Sequence, residues 1–132
     1  MMSHFHVDGT IPKDSGWIFV FGSNVAGRHG AGAALVAKQK FGAIYGEGFG
    51  LHGNSFAIPT KDHRLKTIDL KTISEYIEKF NQFASDNPEM RFWVTAVGCG
   101  LAGYKKEQIA PLFKNNSNCS FPIEWKELIN VK

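Results

Sequence analysis

Several features that would restrict the function of this chain are missing from its 132 residues. It contains two cysteines, Cys99 and Cys119, which are too few for a disulfide framework and lack the further soft ligands of a structural zinc site. No apolar run approaches the roughly 20 residues that cross a bilayer, and residues 1–13 carry His and Asp instead of the apolar stretch of a signal peptide. We therefore expect a soluble, cytoplasmic protein with reduced thiols.

A strong excess of one charge is also lacking. The chain has 15 Lys and Arg against 12 Asp and Glu, a net charge of +3, and no block of five or more basic residues. A net charge of +3 is low for a nucleic-acid-binding protein, although a pI near 8.9 leaves that function possible. The length fits one globular domain over residues 1–132, in which residues 1–14 are expected to form a peripheral or mobile N-terminal segment.

Glycine, in contrast, is abundant, and nine of the 14 glycines lie between residues 22 and 53. There the backbone must turn sharply or approach another group closely. The apolar run at residues 17–21 predicts a strand buried on both faces, and residues 32–41 predict a helix that ends at Gly42.

Further patterns predict a strand at residues 55–59, an amphipathic helix at 71–86, a strand at 91–97 and a short helix around 109–113. Strands that alternate with helices predict an α/β fold with a mostly parallel sheet covered on both faces.

Two glycine-rich loops follow predicted strands and lead toward predicted helices. They cover residues 22–32 and 98–104, so both leave the carboxyl edge of the sheet, where ligands bind in open α/β folds. Backbone N–H groups in such loops can hold phosphate oxygens, and two facing loops suit a diphosphate. Either loop alone is equally compatible with a tight connection that binds nothing.

Two phosphate-binding motifs are absent or out of context. Residues 48–53 match the letters of the dinucleotide fingerprint, but a predicted helix precedes them and a predicted strand follows, which is the reverse of the required order. No Gly-Lys-Ser/Thr sequence occurs, which argues against a nucleotide-hydrolysing P-loop.

Polar side chains in and beside the loops are candidates for chemistry. Asn24 can donate to a ribose hydroxyl, His29 can transfer a proton near neutral pH, and Lys61 can act as a cation or a nucleophile. Each has an ordinary alternative, namely a turn or cap, a solvated ring and a surface lysine. Cys99 lies between glycines, where a packing role is favoured because no histidine has an obvious position to pair with it. The histidines show no metal-binding pattern with carboxylates, and no metal or cofactor is expected.

Three segments together resemble the macrodomain family, in particular the branch that contains terminal ADP-ribose protein glycohydrolase and the macrodomain antitoxins. They are GAGAALVAKQKFG at residues 30–42, IPTK at 58–61 and VGCGLAGY at 97–104. The resemblance spans residues 17–113. It implies a three-layer α/β/α macrodomain-like fold that binds ADP-ribose or a related ADP-ribosyl species.

The loops and the resemblance together give a set of ligand-binding candidates. They are Gly22, Ser23, Asn24, Gly30, Ala31, Gly32, Ala33, Gly98, Cys99, Gly100, Leu101, Ala102, Gly103 and Tyr104. The resemblance implies that Lys61 is the lysine that attacks the ribosyl C1″ and that Asn24 lies near the distal ribose. With His29, these residues are the catalytic candidates. The branch has an aspartate directly after GCGL, where this chain has Ala102, so Asp62 or His29 would have to act as the acid.

Two classes of function fit this reading. One is a hydrolase that removes ADP-ribose from a modified target, and the other is a noncatalytic module that binds ADP-ribose or another nucleotide, free or attached. The expected partner is therefore ADP-ribose or an ADP-ribosylated macromolecule, without a membrane. Nucleic-acid binding ranks last because most aromatic residues fall at predicted core positions, and nucleic acid is expected only as the modified target.

Overall fold

The computed structural model describes residues 4–129 and has a mixed α/β fold with a mostly parallel sheet, as the alternation of strands and helices predicts. The chain forms, in order, β1 (His4–His6), β2 (Trp17–Asn24), α1 (Gly32–Lys40), β3 (Gly50–His52), β4 (Ser55–Lys61), α2 (Leu70–Asp86), β5 (Arg91–Val94), α3 (Lys106–Ile109) and β6 (Cys119–Pro122). Two short 3₁₀ helices, Ala110–Leu112 and Ile123–Trp125, follow α3 and β6.

The six strands lie in the order β1-β6-β5-β2-β4-β3. Every pairing is parallel except that of β3 with β4. From β2 the chain passes through α1 and β3 to β4 on one side, and then through α2 to β5 on the other side of β2. The direction of winding therefore reverses between β2 and β5, and ligands of open α/β sheets bind at the carboxyl ends of strands at such a point.

Strand β2 lies at the centre because both of its faces are apolar. Ile18 and Val20 join the larger core cluster with the apolar side chains of α2, whereas Phe19 and Phe21 join a smaller cluster with alanines of α1. Since successive side chains of a strand point to opposite faces, α1 and α2 pack on opposite faces of the sheet. This confirms the predicted strand, which extends beyond residue 21 to Asn24.

Helix α2 supplies much of the larger core cluster. Its buried apolar side chains recur at helical spacing: Ile73, Ile77, Phe80 and Ala84. The helix begins after Asp69, whose carboxylate accepts from Thr72 N at 3.3 Å. The Phe80 ring lies edge-on to Phe56 and Phe92, with centroid distances of 5.1 and 5.2 Å. Over residues 4–129, neither α2 nor any other helix combines the length and apolarity needed to span a bilayer.

The sequence patterns do not predict three short strands, β1, β3 and β6. Each has three or four residues, and their patterns are interrupted by the histidines around Phe5 in β1, a glycine in β3 and Pro122 in β6. Strand β5 is shorter than predicted. It ends at Val94 because the chain turns at residues 95–97, where Val97 N donates to Thr95 O at 2.7 Å.

The N-terminal segment lies at one edge of the sheet. Strand β1 pairs with β6, and residues 1–3 lie outside the described residues. The connection from β1 to β2 is fastened to β5 by side-chain contacts of Trp93 and Arg91. Trp93 Nε1 donates to Thr10 O at 3.1 Å, and Arg91 forms an ion pair with Asp14 at 3.3 Å.

The aromatic packing around α2 gives a stability prediction. Phe80→Ala removes a fully buried ring and should lower the free energy of unfolding by about 3–5 kcal/mol, because the residual cavity adds to the lost burial. Urea denaturation followed by circular dichroism measures this. Tyr45→Ala is the control, since Tyr45 is 59% exposed and should change the same quantity by less than about 0.5 kcal/mol. Equal losses in the two variants would contradict this description of the core.

Candidate functional site

A cleft of about 700 Å³ opens at the carboxyl edge of the sheet, where β2 and β5 end. Its walls come from the segments that follow β1, β2, β4 and β5 and from the first turn of α1. Small-molecule sites typically enclose about 300–1,000 Å³, so the cleft has room for a ligand of nucleotide size. It lies at the edge that the two glycine loops predict.

The two glycine loops meet at the floor of the cleft. A Cβ atom placed on Gly22 would lie 3.5 Å from both Gly98 N and the Thr60 hydroxyl. Gly98 has a φ of +76°, and a Cβ there would lie 3.1 Å from the Ile109 side chain. Backbone conformation and lack of space therefore both favour glycine at position 98, and this close approach joins the ends of β2, β4 and β5.

The Asn24 side chain braces the first loop. Its Oδ1 accepts from Arg28 N at 2.8 Å and its Nδ2 donates to Arg28 O at 2.9 Å. Ser23 is held next to it, because its hydroxyl donates to Gly48 O. These contacts match the turn-forming alternative for Asn24, although Asn24 also lines the cleft.

The first turn of α1 presents unpaired backbone N–H groups to the cleft. The first intrahelical bond runs from Leu35 N to Ala31 O, so the N–H groups of residues 32–34 have no partner within the helix. The N-cap residue Ala31 has no side-chain oxygen to accept from them. The first turn therefore resembles the phosphate-binding helix starts of other α/β folds.

His29 lies in the packing beneath the first loop. Its side chain is buried, its ring lies edge-on to Phe21, and its Nε2 is 3.1 Å from Ile44 O. Its Nδ1 is buried without a hydrogen-bond partner among the described residues. Burial lowers its pKa, so the fold favours the neutral imidazole. His29 is not among the described residues that line the cleft, and its contacts hold the first loop against the segment that begins at Ile44.

Lys61 ends β4 and lines the cleft together with Asn24. Its carbonyl oxygen accepts from Val25 N at 2.9 Å, which joins β4 to the first loop. Its ammonium forms no hydrogen bond or ion pair with another described residue. Lys61 is thus held by its backbone while its charged group stays available to a ligand.

The Asp62 carboxylate stabilises the turn that follows β4. Its Oδ1 accepts from Lys66 N at 3.0 Å and Arg64 N at 2.8 Å, and these bonds, the first foremost, hold the pKa of the carboxyl below its usual value. The same turn places Leu65 at a φ of +63°, the one non-glycine residue with positive φ in the described chain. Leu65 lines the cleft, whereas Asp62 does not.

The second loop is fastened to the segment after that turn. Thr67 Oγ1 donates to Ala102 O at 2.9 Å, and Tyr104 Oη donates to Ile68 O at 2.7 Å. Tyr104 packs against the larger core cluster. Gly103 and Tyr104 are absent from the described lining of the cleft, so Tyr104 holds the loop from behind.

Cys99 lines the cleft but has the properties of a packing residue. Burial raises the pKa of its thiol to about 11, and the nearby Asp8 carboxylate acts in the same direction. The reactive thiolate is therefore scarce near neutral pH. This supports the packing interpretation of Cys99.

The N-terminal wall of the cleft is absent from the sequence-based site. Residues 8–11 line it, and Asp8 is the single carboxylate among the described lining residues. His6 also lines the cleft; its ring stacks on Trp93 with a centroid distance of 4.0 Å, and its Nδ1 is 2.7 Å from the Ser120 hydroxyl. The sequence signal for this wall was the Asp-Gly-Thr turn after β1, which is too short to identify alone.

The structure brings most of the predicted site residues together. The ligand-binding candidates that line the cleft are Gly22, Ser23, Asn24, Gly30, Ala31, Gly32, Ala33, Gly98, Cys99, Gly100, Leu101 and Ala102. Lys61 joins them, while His29, Gly103 and Tyr104 do not. Ligand contact by these residues stays a prediction.

The buried histidines predict a pH-dependent stability. Burial lowers the pKa of His6 to about 4 and also lowers that of His29, whereas an unfolded histidine titrates near 6.5. Between these values the unfolded state binds more protons, so the free energy of unfolding should fall as the pH is lowered from about 7 to 5. His6→Phe keeps a ring against Trp93 and should reduce proton uptake on unfolding by up to about one.

Denaturant unfolding at a series of pH values measures this slope. His63→Gln, at an exposed turn position, is the matched control. If His6→Phe and His63→Gln reduced the slope of the unfolding free energy against pH to the same extent, the assignment of that slope to the buried histidines would be wrong.

The chemical character of the cleft combines backbone amides with a few charges. Its described lining contains two permanent cations, Arg28 and Lys61, and the carboxylate of Asp8. Within residues 4–129, no three or more His, Cys, Asp or Glu side chains come together as a metal site.

Comparison with models of protein families and with curated proteins finds no match for this chain.

Proposed function

We propose that this chain is a three-layer α/β/α, macrodomain-like protein that binds ADP-ribose or a related ADP-ribosyl species in the cleft. The observation that carries the proposal is the meeting of the two glycine loops at the ends of β2 and β5, in the middle of the cleft. The sequence resemblance of the same loops to macrodomains points to the same ligand.

The extent of the cleft suits a ligand with groups on both sides of a diphosphate. Its lining reaches from residues after β1 to the end of β4, which are four strand positions apart. Neighbouring strands are about 4.8 Å apart, so the cleft spans about 19 Å along the sheet edge. ADP-ribose has this form, because an adenosine and a second ribose flank its diphosphate.

The middle of the cleft supplies anion-binding groups. The unpaired N–H groups at the start of α1 and the glycine loop at residues 98–100 face the same space. Arg28 adds a cation beside them. The diphosphate therefore lies between the two loops in our proposal.

The β1 end of the cleft suits an aminopurine. Asp8 provides a carboxylate that can accept hydrogen bonds from an amino group. Ile11, Phe19 and Val36 line the same cleft and offer apolar surface to a base. The adenine then lies near β1, and the second ribose lies between Asn24 and Lys61.

Hydrolysis through Lys61 is the second candidate function, favoured by the unengaged ammonium at the cleft end. The unprotonated amine would bond to the ribosyl C1″ as the glycosidic bond breaks, and the departing group would take up a proton. The ribose ring would then open to an imine, which water would hydrolyse to ADP-ribose and the free amine. Ala102 occupies the position of the expected acid, Asp62 is committed to its turn, and Asp8 lies at the opposite end. Binding without efficient cleavage is therefore the primary proposal.

The binding prediction uses Gly100, where a side chain meets open space and φ is not in the left-handed region. Gly100→Glu should weaken ADP-ribose binding at least about a hundredfold, because the carboxylate repels the diphosphate. Gly32→Glu is less informative, since Gly32 has a φ of +57° and any side chain there strains the helix start.

Calorimetric titration with ADP-ribose, ADP, AMP and NAD measures this, with circular dichroism to verify the fold. Ser117→Glu adds the same charge at an exposed turn remote from the cleft and should bind like the wild type. Unchanged affinity in folded Gly100→Glu, or salt-dependent oligonucleotide binding that ADP-ribose does not compete with, would reject the proposal.

The catalytic prediction concerns Lys61 and Ala102. The wild type should release ADP-ribose from modified substrates slowly at best, Lys61→Ala should abolish that release, and Ala102→Asp should increase it by supplying an acid. Borohydride should trap an adduct at Lys61 in any variant that turns over, detectable by mass spectrometry. Lys61→Arg controls for loss of charge. Robust cleavage by Lys61→Ala would exclude the lysine mechanism, whereas tight binding without cleavage in the wild type supports the noncatalytic function.

A further inference from the structure

The two permanent cations of the cleft are both attached to its Asn24 end. Lys61 pairs with Asn24 in the register of β4 and β2, and its carbonyl oxygen accepts from Val25 N. Arg28 is held to the same residue, because the Asn24 side chain bonds to the backbone N–H and C=O groups of Arg28. Neither charged group forms a hydrogen bond or an ion pair with another described residue. Both positive charges can therefore act on a ligand.

The described lining has no carboxylate to balance these charges at the Asn24 end. Asp8, the single carboxylate of that lining, follows β1, which is four strand positions from β4. The Asp62 carboxylate accepts from two N–H groups of its own turn, and the Glu47 carboxylate lies 3.8 Å from His52 Nε2. Neither Asp62 nor Glu47 lines the cleft. The Asn24 end of the cleft therefore has a positive potential.

The turn after β4 adds positive charge beside this end. Arg64 and Lys66 are exposed, and they are the sequence neighbours of Leu65, which lines the cleft. With Lys61, the segment 61–66 holds three cations against the one carboxylate of Asp62. Charges separated by less than the Debye length, about 10 Å at 0.1 M salt, still act on one another. A charged group bound near Lys61 is therefore subject to a net positive field.

ADP-ribose and NAD⁺ differ at the group that would occupy this end. Both contain adenosine, a diphosphate and a second ribose, but C1″ carries a hydroxyl in ADP-ribose and a positively charged nicotinamide ring in NAD⁺. With the second ribose between Asn24 and Lys61, that ring lies near the two cations. Two like charges about 6 Å apart would weaken binding about three- to a hundredfold, for effective dielectric constants of about 80 to 20.

We propose that Lys61, together with Arg28, sets a charge specificity of the cleft: it accepts ligands whose terminal group is neutral or anionic, and it rejects the cationic nicotinamide ring of NAD⁺. This inference rests on the proposed function and names the property by which the ligand is distinguished from a close chemical relative. Such a cleft binds ADP-ribose in the presence of the dinucleotide from which ADP-ribose is formed.

The reduced and oxidised dinucleotides test this inference, because NADH and NAD⁺ are nearly equal in size and differ in the charge of the nicotinamide ring. Calorimetric titration of the wild type should give affinities for NADH and for ADP-ribose that are at least about tenfold higher than that for NAD⁺. Raising the salt concentration from about 50 to 500 mM should reduce the ratio of the NADH and NAD⁺ affinities, because salt screens the repulsion.

Substitution of Lys61 tests which residue is responsible. Lys61→Gln keeps a polar side chain without the charge and should lower the ratio of the NADH and NAD⁺ affinities to less than about threefold. Lys61→Arg keeps the charge and should retain the ratio. Lys126→Gln is the matched control, because Lys126 is exposed and absent from the described lining, and it should leave the ratio unchanged. Circular dichroism verifies the fold of each variant.

Three results would overturn the inference and leave the proposed function standing, provided that ADP-ribose binds. They are equal wild-type affinities for NADH and NAD⁺, a ratio that Lys61→Gln does not lower, and binding of neither dinucleotide, which would show that the cleft excludes NAD⁺ by size. If ADP-ribose itself does not bind, the proposed function fails and the inference fails with it.

Discussion

The close approach of the backbone at Gly22 and Gly98 is the constraint on which the rest of the site depends. It requires β2 to be central and its neighbour β5 to end early, so that the second loop can cross the end of β2 toward Thr60. The alternating apolar faces of β2 fix that central position, because Ile18 and Val20 need α2 on one side while Phe19 and Phe21 need α1 on the other. Burial in the core thus places the two glycine loops against each other.

Most contacts around the cleft stabilise loops and not a ligand. Asn24 closes the first loop on Arg28, and His29 holds it from below. Tyr104 and Thr67 fasten the second loop to the segment after β4. In our proposal, the groups that contact the ligand are mainly backbone N–H groups, which need no side-chain ordering when a ligand binds. This arrangement explains why so few charged side chains line so large a cleft.

The sequence predicts the long elements well because each has a strong pattern. The continuous apolar run of β2 and the helical spacing in α2 both persist over several residues, and each element forms close to its predicted bounds. Strands β1 and β6 are not predicted, since three or four residues carry too little periodicity and their pairing depends on contacts distant in sequence. The wall at Asp8 is missed for the same reason, as it becomes part of the cleft only through β1. His29 has the residue type of a catalyst, and only the fold reveals that Phe21 and Ile44 enclose it.

Lys61 and Ala102 decide what a bound ADP-ribosyl group would experience. A lysine can act as a nucleophile only where a nearby group assists the departing atom, and the described lining places its one carboxylate, Asp8, beyond the glycine loops. At the Lys61 end the neighbours are instead the methyl group of Ala102 and the side chain of Leu65, with the carbonyl oxygen of Ala102 already engaged by Thr67. These neighbouring groups supply no proton to a departing group. Under our proposal, the difference between a binding cleft and a hydrolytic one in this chain therefore lies in the lack of an acid beside the Lys61 amine.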